Sequence, residues 1–413
     1  VKKAKTVTIK AENLDNFEML ATGAAVSKKN SIALGVAVVI NNSKTVAQLT
    51  GNLGTSGTSV GEILIQAVTR HNMDDDYKTR LGAEAIAGAG SGGSGGFAVA
   101  GAVAVIVSNA ETNASVGNDV IIYSNGNMTV EAIEQSKLAA RAWGASLTDS
   151  RFNEQNGSGK TSGSNGNSDS KAGVGGAYAM IYVNNKTTAE IGDNAQITAK
   201  SLLVKAEKQQ VSAKADDIGG NIKINGVIKT GSTQIKDGKV EINTTDDAQS
   251  SEDLKLSDLA SVVKDLWNLL SNNNYYLEAV GGAASTENTK FTGAGSFTVL
   301  VINDYVAALV GKNVTLILTD GLTVKAASKV NAVTIAGSVA YGGSKSAGVG
   351  INTIIHNSKV NAGLGDGSTV TGANGGSWNG DVTISASGEL DLTSILVAAA
   401  ASSSKSGNGT QAA

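Results

Sequence analysis

The most regular feature of this sequence is a three-point alternation of apolar residues that ends in alanine. It occurs as Val7/Ile9/Ala11, Ile63/Ile65/Ala67, Met128/Val130/Ala132, Leu202/Val204/Ala206, Leu322/Val324/Ala326 and Val382/Ile384/Ala386. Residues at i, i+2 and i+4 share one face of a strand. Those between them, such as Thr8, Lys10, Thr323 and Lys325, are mostly polar and belong to the opposite face, with Leu64 and Leu203 as exceptions. Each copy therefore predicts a half-buried strand.

A second pattern, Asn-x-x-(Thr/Val)-x-Ala-x-apolar, alternates with the first. Its copies are Asn42/Thr45/Ala47/Leu49, Asn109/Thr112/Ala114/Val116, Asn184/Thr187/Ala189/Ile191, Asn303/Val306/Ala308/Val310 and Asn357/Val360/Ala362/Leu364. Gly117, Gly192, Gly311 and Gly365 close four of them, and the first shifts its glycine to Gly51. Upstream of each motif lies a small-residue apolar strand: GVAVVIN, GAVAVIVSN, GAYAMIYVN, SFTVLVIN and GINTIIHN. Such a unit cannot bury its apolar face alone, whereas stacked copies can. The expected fold is all-β, a parallel β-helix (β-solenoid) over residues 1–413. Each module is expected to make two or three coils of about twenty residues, giving a rod of about 80 Å at about 4.8 Å per coil.

Three segments interrupt the repeat. Residues 88–96 (GAGSGGSGG) read as a flexible linker. Residues 149–171 form a polar Asn/Gly/Ser loop. Residues 219–275 hold a short strand pair followed by one short amphipathic helix, with Ser257 as N-cap and Leu259, Val262, Val263, Leu266 and Leu270 at helical spacing. The helix stripe is expected to lie against the solenoid wall. Because the distance from Ala206 to Ala326 is about two repeat lengths, this stretch is either one insertion or an insertion with a degenerate module.

Composition sharpens the picture. The chain contains Pro 0, Cys 0 and Gly 51, with 41% hydrophobic and 4% aromatic residues. Average usage would supply about twenty prolines, and proline cannot donate to a ladder, so its absence suits unbroken sheets. The absence of cysteine excludes disulfides, thiolate chemistry and Cys-based zinc sites. A net charge of −3 with no basic stripe argues against nucleic acid as a partner. The longest apolar run, 97–107, is too short for a transmembrane segment. The chain opens on a strand motif and ends in a Ser/Gly-rich stretch, as expected of a piece of a longer array.

Candidate chemistry is sparse. Residues 88–93 match G-x-G-x-x-G, but a strand follows where a dinucleotide site needs a helix. Gly159-Lys160-Thr161 mimics the end of a phosphate loop without its first glycine. Asp74, Asp75 and Asp76 beside His71 could hold a cation, although Arg70, Lys78 and Arg80 favour a solvated turn. Residues 375–381 (GGSWNGD) lack the order of a calcium-binding nonapeptide. His71 and His356 are the only histidines, and His356 reads as a satisfied wall residue. The motif asparagines read as turn residues or as amide ladders between coils. No catalytic, cofactor-binding or metal-binding residue is assigned, and no cofactor.

At the phrases GAYAMIYVNNKTTAEIGDNAQITAKSLLVKAE (176–207) and TDGLTVKAASKVNAVTIAGSVAYGG (319–343) the chain resembles the repetitive region of very large secreted bacterial exoproteins. Closest are filamentous adhesins of the fusobacterial leukotoxin and filamentous-haemagglutinin type. The resemblance implies a β-helical filament, type V secretion, an outer-membrane anchor outside this chain, a role in virulence, and attachment to cells or other bacteria. The expected function is therefore a structural and adhesive segment of a cell-surface exoprotein, not an enzyme. Its partners would be host-cell or bacterial surface receptors, protein or glycan, with self-association end to end or side by side as a further possibility. The rivals are a polysaccharide-degrading β-helix enzyme and a pure spacer or self-assembling filament.

Overall fold

The computed structural model describes residues 1–27, 29–71, 81–91, 96–148, 172–210, 223–224, 233–236, 239–242, 273–285, 289–372, 378–402 and 410–412. Among them the protein is all-β, and nearly all strand pairing is parallel. The chain first lays down β1 (Thr6–Leu14), β2 (Phe17–Ser27) and β3 (Ser31–Leu49), then β4 (Glu62–His71), β5 (Leu81–Ser91), β6 (Phe97–Val116) and β7 (Ile121–Tyr123). The third pass is β8 (Met128–Ser136), β9 (Leu138–Thr148), β10 (Ala172–Ile191) and β11 (Gln196–Ala199). β12 (Leu202–Lys208) follows, then β13 (Lys223–Ile224), β14 (Thr233–Lys236) and β15 (Lys239–Ile242). β16 (Tyr275–Ser285), β17 (Phe291–Val310) and β18 (Thr315–Leu318) complete the fourth pass. The last strands are β19 (Leu322–Tyr341), β20 (Lys345–Leu364), β21 (Thr369–Thr371), β22 (Val382–Ala401) and β23 (Thr410–Ala412).

These strands sort into a ten-stranded sheet, a six-stranded sheet (β23-β20-β17-β10-β6-β3) and a four-stranded sheet (β21-β18-β11-β7), with β13–β15 in a small sheet of their own. Both sequence motifs become rows across the strands. Val7, Ile63, Met128, Leu202, Leu322 and Val382 align, as do the residues two and four positions on. Thr6 pairs with Glu62 and Thr292 with Ser346, so each module passes once through the three sheets. That replaces the expected two or three coils per module. Six levels at about 4.8 Å are about 24 Å from first to last, not 80 Å.

The long strands explain the difference. β6, β10, β17 and β20 each run 20 residues through the Asn motif without a break, because the apolar-polar alternation continues across it. The asparagines are therefore mid-strand residues on the outer face, not turns. The turn comes after the closing glycine, where Asp119, Asn194 and Asn313 adopt φ of 57°, 58° and 53° and Gly367 takes the same place at 73°. Asn and Asp tolerate this left-handed conformation best among residues other than glycine.

The interior divides in two. Where the four-stranded sheet closes one end, the core is mostly Val, Ile, Leu and Met, including Ile65, Ile122, Met128, Val204 and Leu316, with alanines such as Ala67 and Ala132 among them. At the other end it is largely alanine, including Ala85, Ala102, Ala142, Ala179 and Ala279. There the large sheets converge: a Cβ on Gly144, Gly175 or Gly281 would collide with the carbonyl oxygen of Gly176, Gly282 or Gly295.

The ten-stranded sheet carries its long excursion at one fixed point. β19 and β22 cross it unbroken, pairing with both β12 and β16 or with both halves of each other. In the fourth pass, Lys208 pairs with Ser328 and Tyr275 with Ala332, so residues 209–274 leave and re-enter in register. The pairing of Ala206 with Ala326 makes this one insertion with no extra module. Tyr275 belongs to β16 and not to the insertion. Within the insertion β14 and β15 pair antiparallel, and β13 pairs with β15 in parallel. The expected helix with Ser257 and Leu259 lies outside the described residues, as does the expected loop 149–171. Residues 88–91 of the expected linker are instead the end of β5, with Ala89 5% exposed.

Candidate interaction surface

Between the two cores runs a seam of buried polar side chains. The first five alanines of the first motif are followed two residues later, at the same inward parity, by Asn13, Thr69, Glu134, Lys208 and Ser328. Thr69 Oγ1 donates to Thr45 Oγ1 at 2.7 Å and receives a bond from Thr112 at 2.7 Å. One level on, Glu134 accepts from Ser136 (2.6 Å), Thr187 (2.8 Å) and Asn185. Lys208 donates to Asp304 at 2.6 Å, lies 3.5 Å from Glu134, and sits over the Tyr275 ring. Both side chains of the Lys208–Asp304 pair are at most 1% exposed.

The charges follow from that packing. Burial opposes a charged Glu134, but Lys208 and its three donors hold the carboxyl below its ordinary range. Burial raises Asp304 despite Lys208. Burial also works against the Lys208 ammonium, yet Asp304 and Glu134 hold its pKa above the ordinary value. The seam satisfies backbone as well: Asn185 Oδ1 takes the Ala110 N–H at 2.9 Å where the β6–β10 ladder is interrupted. Asn274 bonds Asn331, Ser136 O and Gln209 O around the insertion's root. This is structural chemistry sealed from solvent.

A second buried carboxyl faces outward from the ten-stranded sheet. Glu278 accepts from Arg141 (3.2 Å), Trp143 (2.8 Å) and Tyr276 (3.0 Å), and Arg141 lies 4.4 Å over the Trp143 ring. Burial pushes Glu278 up to about 7 against those donors. Tyr276 at 0% and Val333 at 1% exposure on this outward face form a small apolar patch with Ala139 and Ile335.

The outer faces of the two large sheets differ sharply. On the first half of the ten-stranded sheet, Gln66, Glu131, Lys205 and Glu207 form a charged lattice, with Lys205 2.7 Å from Glu207 and 3.1 Å from Glu131. On the six-stranded sheet, the rows that begin at Ile32, Leu34, Val36, Val38 and Ile40 carry no charged residue over β3, β6, β10, β17 and β20. Ile32 (59%), Leu34 (66%) and Ile40 (63%) are exposed there. The next row is the asparagine ladder, where Asn109 donates to Asn42 at 2.8 Å and Asn357 to Asn303 at 2.9 Å. Beyond it stand Lys44, Glu111, Lys186, Tyr305 and Lys359. No described strand packs across this apolar face.

The motifs weighed for chemistry fall apart in space. His71 is buried in the seam, with Asn41 Nδ2 2.9 Å from Nε2 and Ser136 Oγ 3.0 Å from Nδ1. Asp74, Asp75, Asp76 and Gly159-Lys160-Thr161 lie outside the described residues. His356 occupies the inward row of Ile302 but is exposed, because of β20's neighbours only short β23 lies beyond it. The two histidines are three levels apart. Of 375–381, Trp378 packs against the wide core. Among the described residues no cluster of His, Cys, Asp or Glu could hold a metal ion, and no helix is long and apolar enough to cross a membrane. Sequence reasoning missed both the seam and the bare face. Inward parity of Glu134 and Lys208, and outward parity of Val36 or Tyr178, were the available signals. Comparison with protein families, curated proteins and solved structures yields no match.

Proposed function

We propose that the chain is a β-solenoid scaffold within a secreted bacterial surface protein, built to hold inserted segments at fixed positions for attachment to cells or other bacteria. The supporting observation is the register: strands above and below the insertion keep their pairing as though it were absent, Lys208 with Ser328 and Tyr275 with Ala332. A stack that ignores an insertion of this size is suited to display. The likeness of 176–207 and 319–343 to filamentous adhesin repeats points the same way, including export by type V secretion. Contacts fall to the insertions 149–171 and 219–275 through many weak interactions multiplied by avidity. An enzyme reading draws no support from Glu134 and Asp304, whose carboxylates are consumed by the interior.

The test is binding of the labelled chain to host cells and to neighbouring bacteria, beside a variant in which 152–170 and 221–272 are replaced by short Gly/Ser linkers, so that Asn274 and its bonds at the root are kept. Binding that disappears in the trimmed variant is expected. Equal binding by both, or release of unsaturated or reducing ends from acidic polysaccharides, would overturn the reading.

A further inference from the structure

A sheet buried on one side normally turns polar residues to water, and the outer face of the six-stranded sheet does not. We infer that this face is a contact between two copies of the chain, packed sheet on sheet. The inference goes beyond the display reading and does not depend on it.

Area is the first argument. Five rows about 6.6 Å apart on five strands about 4.8 Å apart cover about 800 Å², so two copies would bury about 1,600 Å², the size of a stable specific interface. A patch of that extent is larger than monomers ordinarily leave bare. Two of its three aromatic rings, Tyr178 and Phe297, stack on each other at 5.7 Å with an interplanar angle of 11°, which leaves fewer open ring faces for a sugar to stack on.

Shape and charge then choose the arrangement. With a two-fold axis along the strands, the row containing Lys186 would meet itself, Lys186 against Lys186. An axis along the stack makes the facing strands antiparallel and sends the two lysine rows to opposite rims. It also exchanges the rows on either side of Tyr178 and Phe297. The row on one side is a trough over β10 and β17, between Leu34 and Val349 at its ends: a Cβ on Gly295 would meet nothing within 4 Å, and one on Gly176 only Ala100 O at 3.9 Å. The row on the other side stands proud with Met180 and Val299. Met180 of each copy thus sits over Gly176 of the other, and Val299 over Gly295.

Sedimentation velocity of the chain over rising concentration, with Tyr178→Lys and Lys186→Glu, tests this. A dimer is expected, weakened about 30-fold or more by Tyr178→Lys and little changed by Lys186→Glu. Far-UV circular dichroism should be the same for all three, since both side chains point outward. The chain has no cysteine of its own, and sheets packed about 10 Å apart are too distant for a direct disulfide, so a short bis-maleimide cross-linker should join Tyr178→Cys into a dimer and leave Lys186→Cys unlinked. Three results would overturn the inference: a monomer up to about 100 μM, a dimer indifferent to Tyr178→Lys, or cross-linking through Lys186→Cys as readily as through Tyr178→Cys. An open-ended ladder of sizes would assign association to the exposed strand edges, and a monomer that binds neutral phosphatidylcholine vesicles would assign the face to lipid. Either also sinks it.

Discussion

The two halves of the interior are built by the same strands and obey opposite rules. β6 contributes Ala98, Ala100, Ala102 and Ala104 to one core and Ala114 and Val116 to the other, with Ser108 and Thr112 in the seam between them. In the alanine core the sheets nearly touch, and separation is set by what is missing: no side chain fits between Gly175 and Gly282. In the wide core separation is set by what is present, rows of Ile, Val and Leu as deep as the gap. Side-chain volume along one strand thus prescribes how far apart two sheets stand.

That contrast can be broken from either side. The largest effect is expected at the narrow end: Gly175→Val meets backbone that cannot move aside, and should cost more than about 4 kcal/mol. Loss of the cooperative thermal transition would show it. Next is the seam that parts the cores. Lys208→Met leaves Glu134 and Asp304 buried without their cation and should cost about 3–5 kcal/mol in urea unfolding. Adding Glu134→Gln and Asp304→Asn should recover part of that loss.

In the wide core the damage comes from removal. Ile65→Ala should cost about 2–5 kcal/mol through the cavity it leaves, with little change in the denaturant slope. The Glu278 site gives a pH signature. Its folded value of about 7 lies above the ordinary 4.5. Its contribution is therefore complete below about pH 4.5 and is lost as pH rises towards 7, up to about 3 kcal/mol. Glu278→Gln should flatten that part of the stability profile. The smallest effect belongs to neither core: Asn303→Ala removes one rung of the surface ladder and should cost below about 1 kcal/mol.

The rows of the fold were legible in the sequence and their connectivity was not. Period-two patterning placed Val7 through Val382 in one line because burial on one face leaves no other choice of parity. The same patterning has no mark for where one strand ends and the next begins. A 20-residue strand such as β10 therefore looked like two short ones joined at Asn184, a residue type that favours turns. The charged seam was hidden for another reason. Glu134, Lys208 and Asp304 meet across modules, so no local motif carries them. Only their parity, two residues past a buried alanine in the first two cases, marks them as interior.

The root of the long insertion has a consequence for how such a protein can change over time. The chain departs at Gln209 and returns at Asn274, whose side chain bonds the Gln209 carbonyl at 3.1 Å. Exit and entry are clasped to each other, so whatever lies between them is a closed loop hung on a finished frame. Lengthening it costs only loop closure, about 0.6 kcal/mol per doubling. The frame can thus exchange what it carries while its own strands keep their stacking.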